Sequence, residues 1–265
     1  MSGAVVTSNS WGSTIGAYTP DDYAYDFLVM DSDNDTVGDQ SISAVFSAGN
    51  TGSNPKTVVS PSSAKNVISV GAVDDSSGTS VAGFSARGTT ADGRVKPDVV
   101  APGVNVMSCG LGGTSYAGAS GTSMSCPVAA GTVVIINEYI NRTYGALPSP
   151  ALVRSLLVNG ADSIGGYSYA GIEVGWGRIN LGRSLLNSTN RKIWFEDQQA
   201  SLLTGENRLY GFNTTASAEL KISIAWTDVP GALYANPALV NNLDLTVTAP
   251  DGKVYNGNNF ASGFS

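Results

Sequence analysis

The sequence contains no histidine. Chemistry that needs an imidazole, as general base or metal ligand, must therefore draw it from elsewhere. Charge is scarce too. Asp, Glu, Lys and Arg make up 13% of the 265 residues, against about 25% in an ordinary soluble domain. Acids outnumber bases by 21 to 14, a net charge of −7. That balance lacks the basic footprint of a nucleic-acid or anionic-membrane partner. No apolar run approaches the ~18 residues of a membrane span. The longest candidate, Val128 to Ile136, carries Gly131 and Thr132. Only two cysteines occur, Cys109 and Cys126, readable as two free buried thiols or as one disulfide. No signal peptide precedes the first strand-like run, Ala4-Val5-Val6, and Asn258 to Ser262 stops in mid-pattern. Both ends read as truncated.

What is present is glycine, 32 residues of it, and enough length to bury a core. Few charges and many glycines suit a rigid, loop-rich extracellular protein. Four Asn-x-Ser/Thr sequons, at Asn34, Asn141, Asn187 and Asn213, permit secretion without proving it. Val5-Val6, Ala44-Val45-Phe46 and Val67-Ile68-Ser69-Val70 are short apolar runs flanked by Gly, Ser or Asn, as in a buried parallel sheet. Between the first two lies a helix start: Thr19 as cap, Pro20 in the first turn, then Asp21 and Asp22. Tyr23, Phe27 and Met30 follow at i, i+4, i+7 and predict its buried face. Ser149-Pro150 opens another helix, with Leu152/Leu156 and Val153/Leu157 inside and Gly160 to stop it. From Ser123 to about Ile140 the chain is apolar nearly all round, which predicts a helix running through the core, bent by Pro127. Strand–helix alternation argues for an α/β sandwich. After about residue 187 the period changes to two: Ile222, Ile224 and Trp226 alternate, as do Leu243, Leu245 and Val247. A separate antiparallel β unit is predicted there.

The chemistry centres on Gly121-Thr122-Ser123-Met124-Ser125. A serine at a helix N-terminus sits among free N–H groups and a positive partial charge, where an oxyanion is easily stabilised. Asn50, after Ala48-Gly49 at the end of a predicted strand, carries an amide able to donate to that oxyanion. Taken singly, a helix-start serine is usually a cap and an Asn beside Gly is usually a turn. The acidic run Asp31, Asp33, Asp35, continuing to Gly38-Asp39, has the i, i+2, i+4 spacing of a calcium loop. It lacks the loop's glycine and closing glutamate, so a solvated acidic turn competes with it.

The order of motifs along the chain resembles the subtilisin-like serine proteases. Gly121 to Pro127 is similar to their serine motif. Ser8-Asn9-Ser10-Trp11-Gly12 looks like their substrate-binding strand, and Phe46 to Asn50 like their oxyanion segment. Ser60 to Ala72, Phe84 to Gly88, Lys96 to Gly103 and Gly175 to Asn180 follow in the family's order. Ile224 to Asp228 and Val240 to Leu245 resemble the jelly-roll domain found after the catalytic domain in one subgroup, that of the oxidatively stable alkaline proteases.

The resemblance implies a three-layer, parallel-sheet α/β catalytic domain over 1–187, its N-terminal part missing, and an incomplete jelly-roll domain over 188–265. It implies a secreted endopeptidase, with Ser123 as nucleophile and with Asn50 and the Ser123 N–H as oxyanion donors. Ser10, Trp11 and Gly12 would pair with an extended polypeptide substrate, Ala48 and Gly49 would line the pocket for the residue before the cut, and Gly121 and Thr122 would complete the substrate site. No cofactor is required for the chemistry; structural calcium is common in the family. The triad aspartate and histidine would lie before Met1. Without them the alternative is a peptide-binding relative that kept the groove and lost the base. A Ser–Lys dyad using Lys56, Lys65 or Lys96 is disfavoured, because each lies on a segment matching a structural motif.

Overall fold

Four apolar runs pair in register as one parallel sheet in a computed structural model that describes residues 3–13, 16–33, 35–74, 78–197, 202–213 and 219–259. The strands are β1 (Val6–Asn9), β2 (Ser43–Ser47), β3 (Ile68–Asp74) and β4 (Val99–Val104), in that spatial order. Helix α1 (Pro20–Met30) connects β1 to β2. A hairpin, β5 (Val106–Cys109) with β6 (Tyr116–Ala119), leads from β4 into α2 (Thr122–Tyr144). Then come α3 (Pro150–Gly160), α4 (Leu181–Leu185) and a terminal hairpin of β7 (Thr246–Thr248) with β8 (Val254–Asn256).

Alternation along β2 builds three layers. Val45 faces a core with Ile68, Val70, Val99, Cys126, Ala129, Val133 and Ile136, under α2 and α3. Its neighbours Ala44 and Phe46 face the opposite side, against Val29 of α1, Ala64 and Val67. The sheet thus carries helices on both faces, as predicted.

Helix α1 begins where the sequence places it. The Thr19 hydroxyl accepts from the Asp22 N–H (3.3 Å), and the Asp22 carboxylate accepts from the Thr19 N–H (2.8 Å), a reciprocal cap. Its inward face, however, is not Tyr23/Phe27/Met30. Asp22, Asp26 and Val29 are buried, while Tyr23 is 43% exposed. The reason is that donors wait for both acids: Ser63 Oγ on Asp22 (2.8 Å), and the Tyr18 hydroxyl and Asn66 N–H on Asp26 (2.7 Å each). Helix α2 is also corrected. It packs Cys126, Ala129, Val133 and Ile136 into the core over the sheet but is not buried all round, since Val128, Val134 and Ile135 stay exposed. It runs unbroken through Pro127. Helix α3 matches its prediction, capped by Ser149 Oγ on the Leu152 N–H (3.0 Å).

Beyond residue 187 the only regular pairing among the described residues, apart from an isolated bridge between Ser188 and Arg191, is the β7–β8 hairpin. Leu243, Leu245 and Val247 alternate with exposed neighbours, as predicted. Residues 222–226 do not form a strand, and Ile224 is exposed. Polar groups of residues 221–226 bond to the first unit instead: Arg154 donates to Trp226 O, the Ser155 and Ser223 hydroxyls pair, and Asn159 donates to Lys221 O (3.1 Å). Both cysteines are free, Cys126 buried and Cys109 exposed. No helix among the described residues is long and apolar enough to cross a membrane. The sequon at Asn34 lies outside the described residues; Asn141 and Asn187 are exposed.

Candidate active site

Three chain segments meet at the N-terminal end of α2, two of them from C-terminal ends of parallel strands, where open α/β sheets place their ligands. Asn50 follows β2, Ser10 follows β1, and Ser123 stands in the first turn of α2. The Asn50 side chain is oriented by Thr122, whose backbone N–H and hydroxyl both donate to Oδ1 (2.9 and 3.0 Å). An N–H needs an acceptor, so these bonds fix which end of the amide is oxygen. The Nδ2 end is left facing away, with no acceptor among the described residues. The Ser123 backbone N–H, one of the unpaired donors of a helix start, is equally free.

Both donors border one small volume. A methyl group added at Gly121 would stand 3.2 Å from Asn50 Nδ2 and 3.6 Å from Ser123 N. Glycine leaves that volume open. Ser123 is partly exposed, and its hydroxyl has no hydrogen-bond partner among the described residues.

Helix chemistry ties the substrate-strand segment to this serine. Pro127 has no N–H, so the Ser123 carbonyl loses its i+4 donor. The Ser10 hydroxyl takes that place, donating to Ser123 O at 2.9 Å. The backbone groups of Ser10, Trp11 and Gly12 make no main-chain hydrogen bonds among the described residues, and all three residues are exposed. Trp11 is 46% exposed and rests edge-on against Phe46 (5.5 Å) and Tyr25 (6.0 Å). It is half core, half surface.

Other predicted site residues also carry structural bonds. Thr122 is fully buried; besides holding Asn50 it accepts from the Gly49 N–H (3.2 Å). Ala48 is buried against Val58 and Ala86, and its N–H and carbonyl are engaged by Val70 O and the Val59 N–H. Gly49 holds φ +111°, a left-handed conformation that disfavours a side chain. Cys126 lies on α2 three residues after Ser123; burial pushes its thiol pKa up, which makes it a packing group. Sequence reasoning passed over Val59, which touches both Gly12 and Gly49; nothing in its local pattern marks it.

The calcium candidates do not fit a cation. Asp31 Oδ1 accepts from the Asp33 N–H (3.1 Å) and Gln40 N–H (3.4 Å). Asp33 accepts from the Asp35 N–H (3.2 Å) and the Thr36 hydroxyl (2.8 Å). Their oxygens close turns, and no acidic or sulfur cluster with metal-binding geometry occurs among the described residues. Two lysines of the disfavoured dyad are likewise committed: Lys65 to Asp228 (2.6 Å), and Lys96 to Val67 O (2.8 Å) and Asp98 (2.7 Å).

A profile of the peptidase S8, or Subtilase, family matches residues 1–212. This chain belongs to the subtilase family. Among its relatives, the Serine protease/ABC transporter B family protein tagA of Dictyostelium discoideum is 31% identical over 212 residues, 66% of this chain and 12% of that protein. The Serine protease AprX of Bacillus subtilis (strain 168) is 38% identical over 133 residues, 43% of this chain and 29% of that protein. This subtilase sequence thus spans under a third of either relative. In solved structures, the self-cleaved protease domain of PatA (TM-score 0.54, 24% identity) shares the fold over 69% of this chain and 61% of that one. The Prenylagaramide maturation protease PagA does so with TM-score 0.54 and 21% identity, with the same coverage. At those identities the likeness speaks for the parallel-sheet subtilisin-like fold alone.

Proposed function

We propose that this chain is the nucleophile-bearing part of a serine endopeptidase. The observation that carries the proposal is the pair of unpartnered donors, Asn50 Nδ2 and Ser123 N–H, around the space that Gly121 leaves open. Ser123 Oγ attacks the scissile carbonyl carbon and gives its proton to a general base. The carbonyl oxygen becomes an oxyanion held by those two donors. The intermediate collapses to a Ser123 ester as the amine leaves with a proton, and water then hydrolyses the ester. The base and its orienting carboxylate come from outside this sequence, which has no histidine, and this part alone is nearly inactive. The unpaired main-chain groups of Ser10, Trp11 and Gly12 receive the substrate as an added strand. The family and the sequons support an extracytoplasmic location. Residues 188–265 are proposed as a second β unit; its jelly-roll character rests on motif resemblance.

The absence of histidine, with a serine hydroxyl that lacks a partner, also favours a second reading: a peptide-binding relative without catalysis. The test is hydrolysis of a casein substrate by the longest reading frame that contains this sequence, beside its Ser123→Ala variant. Hydrolysis lost in the variant supports the endopeptidase. Hydrolysis unchanged in the variant sinks the assignment of Ser123, and a frame with neither hydrolysis nor an upstream histidine favours the binding protein.

A further inference from the structure

One buried sulfur touches all three elements that build the candidate site. Cys126 stands on α2 one turn after Ser123, and it is fully buried. Its Sγ lies 3.4 Å from Val45 O on β2, the strand that leads to Asn50. It lies 3.6 Å from Asn9 O, the last carbonyl of β1 before the Ser10–Gly12 segment. The Ser8 hydroxyl, also on β1, is 3.6 Å away.

The protons can be placed. A thiol has one proton and a sulfur that accepts weakly. Carbonyls only accept, so Val45 O and Asn9 O share the thiol proton, and the Ser8 hydroxyl donates to the sulfur. Burial pushes the thiol pKa up and keeps that proton on. Asn9 Nδ2 adds a second link between the strands, donating to Val45 O (3.2 Å).

The substrate segment needs such links. Among the described residues β1 is an outer strand, flanked in the sheet by β2 alone. Beyond its end, Ser10, Trp11 and Gly12 make no main-chain hydrogen bonds there. The segment is held from the α2 side instead, by Cys126 at Asn9 and by the Ser10 hydroxyl on Ser123 O (2.9 Å).

We propose that Cys126 is a positioning residue: its thiol fixes the end of β1, and with it the Ser10–Gly12 segment, against the helix that carries Ser123. The proposal rests on the proposed endopeptidase site and deepens it. The thiol touches no substrate and takes no part in bond making. Peptides that lie along Ser10–Gly12 depend on it, whereas a substrate too short to reach that segment does not.

The test uses the longest reading frame containing this sequence and two esters with one leaving group, a tetrapeptide ester and a single-residue ester. Cys126→Ala and Cys126→Ser are close in size and differ in the hydroxyl, so a cavity affects both alike. Cys126→Ala is expected to lower kcat/KM for the tetrapeptide about 3–10-fold, the scale of one hydrogen bond, mostly through KM. The single-residue ester should change by about twofold at most, and Cys126→Ser should recover at least half of the tetrapeptide loss. Equal losses on both esters would mean a general distortion of α2 and overturn the positioning role. No loss on either, or no recovery with serine, overturns it too. Should the alanine variant fail to fold, Cys126→Val and Cys126→Thr, a second pair matched in shape, carry the same expectation. Calorimetry needs no turnover. In the Ser123→Ala protein, adding Cys126→Ala should weaken binding of a tetrapeptide about 3–10-fold. Equal binding, or none, overturns the proposal whether or not hydrolysis is seen. That binding loss in a protein that hydrolyses neither ester would overturn the endopeptidase reading alone.

Discussion

Asn50 does nothing by identity alone; its chemistry depends on which way the amide faces. Two donors from Thr122 hold Oδ1, and so Nδ2 is presented. Asn50→Ala in the full reading frame is expected to lower kcat by about 10²–10³ with little change in KM, since an oxyanion forms only in the transition state. Thr122→Val removes one of the two orienting bonds and should lower kcat by a smaller factor with the same split, while Thr122→Ser should retain activity. Steady-state kinetics on one peptide substrate checks both. A rise in KM at constant kcat would mean that Asn50 binds ground-state substrate instead.

At the scale of elements, the link between α2 and the segment after β1 depends on a proline. Pro127 leaves the Ser123 carbonyl without a helical donor, and Ser10 supplies one. Ser10→Ala should therefore cost about 1 kcal/mol of stability, the net worth of a hydrogen bond. Pro127→Ala restores an N–H four residues on, so in that background Ser10→Ala should cost measurably less. Urea unfolding of the four proteins gives the coupling directly; additive costs would show that the hydroxyl does not stand in for the missing amide. The proline's position is plain in the sequence, four residues after the serine. That Ser10 answers it is not, because 113 residues separate the partners.

At the scale of the molecule, residues 219–241 act as a strap across the first unit, fastened by two carboxylates. Asp228 pairs with Lys65 and accepts from Val240 and Asn241 N–H groups (2.9 Å each). Asp92 accepts from the Ala238 N–H (3.0 Å). Burial works to raise the pKa of each. For Asp92 the bonds from Arg94, Thr90 and Ala238, with the Arg94 charge, outweigh it and hold the pKa at about 2. For Asp228, Lys65 with the Val240 and Asn241 amides does the same, and its pKa is lowered. A carboxyl depressed on folding gives its full stability above the unfolded value, near 3.9, and loses it as pH falls through the folded value. Asp26, raised by burial, acts in the opposite sense. Asp92→Asn should therefore destabilise most at neutral pH, and its gap from the wild type should close between about pH 4 and about pH 2. Urea unfolding across that range checks it; a constant gap would sink the role given to Asp92.

Local order was legible along the chain. The cap at Thr19, the Ser149-Pro150 start and the short apolar run of β2 are local signals, complete within a few residues, and they appear where the sequence puts them. The motif order likewise marked the family and the residues that gather near Ser123. The inward acids of α1, the direction of the Asn50 amide, the Val59 contacts with Gly12 and Gly49 and the strap were not legible. Each depends on a partner far along the chain, as Asn66 and Asp228 are at a separation of 162 residues. A buried polar or apolar group takes the environment that packing brings to it, and periodicity carries no record of that partner. Apolar pattern predicted Tyr23, Phe27 and Met30 inside α1, whereas the donors on Tyr18, Ser63 and Asn66 turned Asp22 and Asp26 inward instead.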